Sequence, residues 1–527
     1  MRIGVIELLT GNCATRGLRG IGSYLYTRQY ASLMPQAVSA WCREFGHQVH
    51  YATFAGRGDP KSLLPADLDI VFVGTNTPAS ALAYALAKLY RQEHALTVVG
   101  GPHARAFPLD CARFFDIVVQ QCDKELVRDI VDGACEPGSI VSSDRPLTDL
   151  PSVEQRMPEI RKSMFLFGRP NPTTTVGVIA SLGCPYTCNF CTDWNNPYVL
   201  LPAEKLAADL RYLAEHLPGT RVAFHDPNFA VRFDEVLDVL EQIPPKKRNP
   251  YIMESSLTVL KGSRLQRLKD TNCTYVAPGV ESWSGYSNKS GARTKTGHEK
   301  MEMVAEEFRA IHEYVQGLQA NFIFGLDADE GDEPVELTKE FITRTPFVWP
   351  AINIPTPFGG TPFFDDCVSD GRILRSMPFA LYYIPHLVTT LKHYDPIGYY
   401  ERLIDINVHL SSAKLLRKRL GSTRSRSIQL FFLARTSGTR QRVNDFRAII
   451  GALKSDAHML AFHEGEDVPL PSFYRHEVRR MLGQYASLLS EEDLLPVLDQ
   501  YVSTASRALP LLPARLPLRA SAPKMSV

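Results

Sequence analysis

Short apolar runs alternate with amphipathic stretches along the first 135 or so residues. IGVIEL, HQVHYATF, LDIVFVGT, ALTVVGG and FDIVVQ each read as a strand. Between them, the spacing of apolar positions predicts helices over residues 34–45 and 80–93. Strands separated by helices in this way build βαβ units and a doubly wound, Rossmann-like parallel α/β sheet. Residues 137–172 are rich in Pro, Ser and charge and read as a linker. From Val176 the alternation resumes with VGVIAS, RVAFHD, NPYIMES, TYVAPGVES, GLQANFIFG and PAINIPTPF. Six strands joined by helices fit a partial or full β/α barrel, with its chemistry at the carboxyl ends of the strands. The expected division is therefore an α/β domain over 1–136, a linker over 137–172, a barrel over 173–371 and a mainly helical region over 372–505. Residues 506–527 are rich in Pro and Ala without periodicity and are expected to be disordered.

Composition narrows the class without changing that picture. Hydrophobic residues make up 44% and charged residues 22% of 527, ordinary for a globular chain long enough to bury large cores. The formal net charge of +1 argues against nucleic acid as the partner of the whole chain. No apolar stretch approaches a membrane-spanning length, so no transmembrane segment is expected. The opening MRIGVIELLTG reads as a strand and not a leader, and the expected location is cytoplasmic. Ten cysteines are too few for a disulfide scaffold, and only Cys184, Cys188 and Cys191 cluster.

Those three stand in GCPYTCNFC, spaced C-x3-C-x2-C on the loop after the first barrel strand. Three thiolates on one loop can hold three irons of a [4Fe–4S] cluster and leave the fourth iron open. A tetrahedral zinc site would want a fourth ligand from a second pair, and none lies nearby in sequence. The motif, with Phe190 just before the third cysteine, resembles the radical S-adenosylmethionine (SAM) superfamily. The resemblance spans roughly residues 174–361. It implies that SAM chelates the open iron and is reductively cleaved to a 5′-deoxyadenosyl radical, which takes hydrogen from a substrate.

Later segments extend the likeness. HDPNF at His225 to Phe229 sits where the family has a Gly-Gly-Glu element ending the second strand. Lacking those glycines, it is expected to meet the SAM amino group through backbone carbonyls around Asp226 and Asn228. PGVES resembles the fourth-strand element, which would place Glu281 and Ser282 near the SAM ribose or methionine portion. NFIFGLDAD resembles the fifth-strand adenine-packing segment and implies a contact from Phe324, a position that core packing explains equally well. PTPFGGTPFF matches the turn after the sixth strand.

Upstream, LDIVFVGTNTPAS and LTVVGGPHARAFP resemble the cobalamin-binding domain fused to one large radical SAM subgroup. The likeness implies that Thr75, Thr77 and Ser80 bond the nucleotide tail and that Gly100 and Gly101 let backbone pass close to the cofactor. His103 is expected either to face the corrin or to lie on an exposed loop. The Asp-x-His-x-x-Gly motif of cobalt-ligating domains is absent, and QQCDKE stands where relatives have Gly-Glu-Gly-Glu. The glycine-rich stretch Thr10 to Tyr24 reads as a mobile loop at the sheet's carboxyl edge.

The resemblance implies a cobalamin-dependent methyltransferase that methylates an unactivated carbon of a small-molecule or natural-product substrate. It also implies an electron donor of the flavodoxin or ferredoxin type. Rearrangement or oxidative cyclisation without methyl transfer, a first domain without cobalamin, and a non-catalytic iron–sulfur binding protein are the competing readings. Between Ser411 and Asp456, eleven Lys or Arg face two Asp. Such a run fits an anionic substrate, a membrane surface or nucleic acid, or, more commonly, a solvated helix face. The aromatics of ALYYIPH fit a substrate wall or core packing equally.

Overall fold

The computed structural model describes residues 1–14, 24–194, 196, 198–285 and 295–497. These residues divide into two compact units, one of 1–151, 155–163 and the segment from 479, the other of 152–154 and 164–478. Most of the glycine-rich loop (15–23) and the whole 506–527 tail lie outside the described residues.

In the first unit, six strands form one parallel sheet: β1 (Arg2–Leu8), β2 (Gln48–Phe54), β3 (Ile70–Thr75), β4 (Leu96–Gly100), β5 (Ile117–Val119) and β6 (Ser139–Val141). Their order is β2-β1-β3-β4-β5-β6. Ile3, Val5, Ile6, Val71, Val73, Val98 and Val99 are all buried, because a parallel sheet covered by helices buries both faces of its strands. The strand order reverses beside β1, the point at which sheets of this kind open a crevice at the carboxyl edge.

The expected linker is largely structured. Its Ser139–Val141 is the sheet's sixth strand, paired with β5, and its Met157–Met164 is a helix. That helix, α4, follows α1 (Leu33–Glu44), α2 (Ser80–Gln92) and α3 (Lys124–Val131) along the chain. It is fastened to α1 by charge: Glu159 accepts from Ser39 Oγ at 2.7 Å and pairs with Arg43. Just before it, buried Arg156 donates to Gln36 Oε1 at 2.8 Å. The segment from 479, expected to stay with the helical region, also groups with this unit. Met481 O accepts from Cys13 N at 2.7 Å, and Asp493 pairs with Lys88 at 2.6 Å.

One buried acid in β1 makes this unit sensitive to pH. Glu7 is 3% exposed; it accepts from Ser32 N at 2.8 Å and Tyr51 Oη at 3.4 Å. Burial outweighs those bonds and raises its carboxyl to about 7. A raised folded-state value means that stability is fully present below the unfolded value of 4.5 and is lost as pH climbs through about 7. The loss amounts to about 3 kcal/mol for this group. Glu7→Gln, whose amide oxygen still accepts from Ser32 N, is expected to flatten that slope. Denaturant titrations from pH 5 to 8 check it; an unchanged slope would contradict it.

The second unit is a partial barrel. Its strands β7 (Thr175–Val178), β10 (Arg221–Phe224), β11 (Tyr251–Ser255), β12 (Cys273–Glu281), β13 (Gly317–Ile323) and β14 (Val348–Asn353) are parallel and lie in sequence order. The short β8 (Ser181–Leu182) and β9 (Val199–Leu200) form a separate antiparallel pair. Helices α5 (Ala203–His216), α6 (Phe233–Glu241), α7 (Ser263–Asp270), α8 (Gly297–His312) and α9 (Glu333–Arg344) connect the strands. Beyond β14 come α10 (Pro362–Ser369), α11 (Pro396–Leu410), α12 (Ala413–Gly421) and the long α13 (Arg426–Ser455), with α11 packed along α13 through Tyr400 and Phe446. Phe379, Tyr382 and His386 are all buried, which favours core packing for the aromatic segment.

Candidate active site

The three clustered cysteines lie on the loop that leaves β7 at its carboxyl end. Two features hold that loop at its base. β8 and β9 pair antiparallel across its two ends, and Leu201 N donates to Ala180 O at 3.0 Å. Below them, the Asp226 carboxylate accepts from Ser181 N at 2.6 Å, from Ser181 Oγ at 2.7 Å and from Ala180 N at 3.1 Å. Arg232 closes the other side, with Nη1 donating to Leu201 O at 2.6 Å while the guanidinium pairs with Glu235. The loop is thus clamped between an acid and a base from the second strand and the turn after it.

Further out, Cys191 N donates to Cys188 O at 3.0 Å, a tight turn that sets two of the thiols at one bend. Between them, Asn189 O accepts from Phe363 N at 3.0 Å, an otherwise unused donor in the first turn of α10. Thr361 caps that helix by accepting from Phe364 N at 3.2 Å. Gly183, just before the first cysteine, has φ +66, a left-handed conformation that glycine adopts without strain. Tyr198 stands near Cys184, and burial raises its hydroxyl.

Cys184, Cys188 and Cys191 form no disulfide, and each is half-buried. Among the described residues, no three His, Cys, Asp or Glu side chains converge on a single metal ion. A cubane asks for something else: three separate thiolates, each on its own iron at a different corner. Three half-exposed cysteines outside any disulfide, on one braced loop, fit that requirement.

The other sequence-proposed contacts fall into two groups. Asp226 and Asn228 do not present free side chains. Asp226 is spent on the cluster loop; Asn228 accepts from Ala230 N at 3.1 Å and donates to Ser256 Oγ at 3.1 Å. Both are positioning residues, and any contact they make outward runs through backbone. Phe324 stacks on Tyr399 at 5.4 Å and 4° between planes, and Tyr399 Oη donates to its carbonyl at 2.7 Å, so it belongs to the core. Phe190, half-buried, stays on the cluster loop.

Glu281 and Ser282 behave differently. The β12–β13 ladder slips between Gly279 and Glu281, and Glu281 takes φ +67, a strained backbone for a side chain of its size. The slip turns Ser282 so that its Oγ donates to Asp329 Oδ1 at 2.5 Å, while Asp329 Oδ2 accepts from Gly325 N at 2.9 Å. Lys300, 1% exposed on α8, donates to Ser282 O at 2.6 Å and Ser284 O at 2.7 Å. Burial lowers its ammonium to about 8, against the pull of Glu281 and Asp329. Sequence reading missed Lys300 and Asp329. The only signal was a charged residue at an inward position of an amphipathic helix, which is visible only once the helix phase is known.

Lys300→Met removes both bonds to the turn and leaves two buried carboxylates without their cation. It is expected to weaken SAM binding about tenfold or more, a loss of about two such hydrogen bonds, while iron content per chain is unchanged. Equilibrium binding to the reconstituted protein measures it; unaltered affinity would show the turn to be independent of Lys300.

In the first unit, Thr75, Thr77 and Ser80 are buried beneath the strand ends. Thr75 Oγ1 donates to Asn76 O at 3.1 Å, and Thr77 Oγ1 meets His103 Nδ1 at 3.4 Å. His103 is neither on an exposed loop nor turned outward. It is fully buried, its Nε2 lies 2.6 Å from Tyr84 Oη, and Tyr84 in turn donates to Asp110 at 2.6 Å. Burial lowers its imidazole to about 3; with both ring nitrogens turned to Tyr84 and Thr77 and the ring fully buried, it does not fit as a cobalt ligand. Gly101, at φ +103, has a reason to be glycine: a Cβ there would lie 2.7 Å from Thr75 O. At Gly100 a Cβ would meet only ordinary contacts, so close backbone approach does not require glycine there. Asp123, in the divergent QQCDKE, caps α3 by accepting from Leu126 N at 2.7 Å. A ligand at this edge would meet backbone around 76 and 100–101, not these side chains.

Comparison with known proteins agrees with this layout. Residues 178–342 match the Radical SAM superfamily. The bacteriochlorophyllide d C-12(1)-methyltransferase of Chlorobaculum tepidum is 23% identical over 313 residues, covering 56% of this chain and 65% of the relative. The chain therefore spans just under two thirds of that protein. The hopanoid C-2 methylase of Rhodopseudomonas palustris is 26% identical over 205 residues, 37% of this chain and 38% of the relative. Among solved structures, the cobalamin-dependent SAM radical enzyme OxsB with aqua-cobalamin bound is similar at TM-score 0.56 and 11% identity, over 94% of this chain and 80% of that one. The radical SAM methyltransferase TsrM of Kitasatospora setae is similar at TM-score 0.50 and 13% identity, over 70% and 75%. At these identities the structural likeness establishes the fold.

Proposed function

We propose that this chain, a member of the radical SAM superfamily, is a cobalamin-dependent enzyme that methylates a carbon of a small-molecule substrate. The observation that carries the reading is the joining, in one chain, of a braced three-cysteine loop at the mouth of a parallel barrel and a separate α/β sheet of doubly wound order. Cys184, Cys188 and Cys191 would hold the cluster; Glu281 and Ser282 would face SAM. When bound, the cluster with SAM supplies a carbon-centred radical and cobalamin supplies a methyl group. The chain's own work is to bind and orient. Asp226 and Arg232 keep the cysteine loop at one height above the strands. Lys300 and Asp329 hold the turn after β12 in a fixed place, which would orient SAM beside the cysteine loop.

Support for methyl transfer comes from relatives whose names are methyltransferases, and support for cobalamin from the OxsB fold that holds it. A flavodoxin- or ferredoxin-type protein is the proposed electron donor and the cytoplasm the proposed location; no helix among the described residues is long and apolar enough to cross a membrane. The test is an anaerobic assay with SAM labelled in its methyl group and a small-molecule extract as substrate. Labelled carbon in a product, formed with 5′-deoxyadenosine, supports the reading. Deoxyadenosine with a product that carries no label would replace it with a rearrangement or cyclisation.

A further inference from the structure

We infer that the hairpin of α12 and the first turns of α13 docks the protein on an anionic phospholipid surface. From Ile406 to Asn444 the chain has nine Lys or Arg and no Asp or Glu. Within that stretch Lys414, Arg417 and Lys418 recur at helical spacing on α12, and Arg424 and Arg426 lead into α13; all five are exposed. None of the five makes an ion pair or hydrogen bond with a described residue.

Other exposed cations of this unit, among them Lys246, Lys247, Lys261 and Lys269, also lack a side-chain partner among the described residues, but their segments carry acids as well. On neighbouring helices cations meet acids, Arg267 pairing with Asp238 and Glu241, Arg344 with Glu302 and Glu340, and Lys339 with Glu336 and Asp405. This hairpin carries no acid at all. The C-terminal residues 498–527 offer little counter-charge, since they hold four Lys or Arg against one acid, Asp499.

The patch is also apolar at its centre. Arg426, Leu430 and Leu433 lie at i, i+4 and i+7 on one face of α13, with Leu430 66% and Leu433 44% exposed. Exposed aliphatic side chains on a helix that opens beside unpaired cations match the boundary between headgroups and acyl chains. They suit nucleic acid poorly, where stacking aromatics would be wanted. The hairpin is braced from behind. Gln429 donates to Leu420 O and Thr423 O at 3.1 Å, and buried Arg419 lies 4.9 Å from the Trp349 ring. Thr423 Oγ1 bonds Gln316 at 3.2 Å, which sets the hairpin by the amino ends of β13 and β14. The cysteine loop leaves the opposite, carboxyl end of this barrel, so docking leaves its mouth clear.

The experiment is co-sedimentation of the full-length, reconstituted protein with vesicles of phosphatidylcholine containing phosphatidylglycerol, against phosphatidylcholine alone. Binding is expected only to the anionic vesicles and should fall as salt is raised. The triple variant Lys414→Gln, Arg417→Gln, Lys418→Gln is expected to bind about 100-fold more weakly, about fivefold per charge. Leu430→Gln with Leu433→Gln should weaken binding about tenfold with the charges intact. Deoxyadenosine formation in solution should be unchanged in both, which separates this result from failure of the catalytic reading. Equal sedimentation with both vesicle types, variants that bind like the parent, or tighter binding to a single-stranded oligonucleotide at equal salt would each overturn the inference.

Discussion

Cys191→Ala is expected to yield a folded protein that forms no 5′-deoxyadenosine. The thiol is half-exposed on a loop whose base is held by β8 pairing with β9, by Asp226 and by Arg232, none of which involves the cysteine. The fold therefore does not depend on it. The cluster does, because each of the three thiolates would hold a different iron and two leave a second corner open. Iron per chain should fall sharply, and SAM cleavage should drop below detection, a loss of well over a thousandfold or about 4 kcal/mol in barrier. Melting of the apo-protein should stay within about 1 kcal/mol of the parent. Near-normal deoxyadenosine formation by this variant would remove the basis for the assignment.

Asp226→Ala should do the reverse, damaging the protein before any cofactor is added. Three donors at the base of the cysteine loop, Ala180 N, Ser181 N and Ser181 Oγ, would lose their acceptor in a buried setting. Even with partial compensation by water, the expected cost is about 3 kcal/mol in apo-protein stability. Iron content should also fall, since the loop is no longer held at one height. Asp226→Asn, which still accepts through its amide oxygen, should cost about 1 kcal/mol and keep most of the iron. Denaturant unfolding and iron analysis on both variants check this. If Asp226→Ala were as stable and as fully loaded as the parent, the clamp would have no role.

Most of the architecture was legible because parallel strands buried on both faces leave continuous apolar runs. IGVIEL, LDIVFVGT and the six barrel segments announce β1, β3 and the barrel order directly. What escaped was short or polar. β6 is three half-buried residues in a Pro- and Ser-rich stretch, and α4 sits in a charged segment whose order comes from Glu159 and Arg156 meeting α1. Those partners are more than a hundred residues away, so no local pattern carries them. The place of the three cysteines, on the loop after the first barrel strand, was legible because their close spacing stands out in the sequence. The bracing role of Asp226, the inward Lys300 and the burial of His103 were not legible, because each depends on which way its side chain turns. Asp226 faces the loop instead of a ligand, Lys300 faces inward, and His103 lies under the strand ends bonded to Tyr84. The strained φ of Glu281 likewise has no signature in PGVES.

The most direct test of the whole account uses full-length protein, reconstituted anaerobically with iron and sulfide and supplied with hydroxocobalamin, SAM and a strong reductant. Bound-cofactor absorption and 5′-deoxyadenosine are recorded together. Stoichiometric cobalamin with deoxyadenosine formation is the expected result. A protein that binds neither cluster nor cobalamin and leaves SAM intact would contradict it.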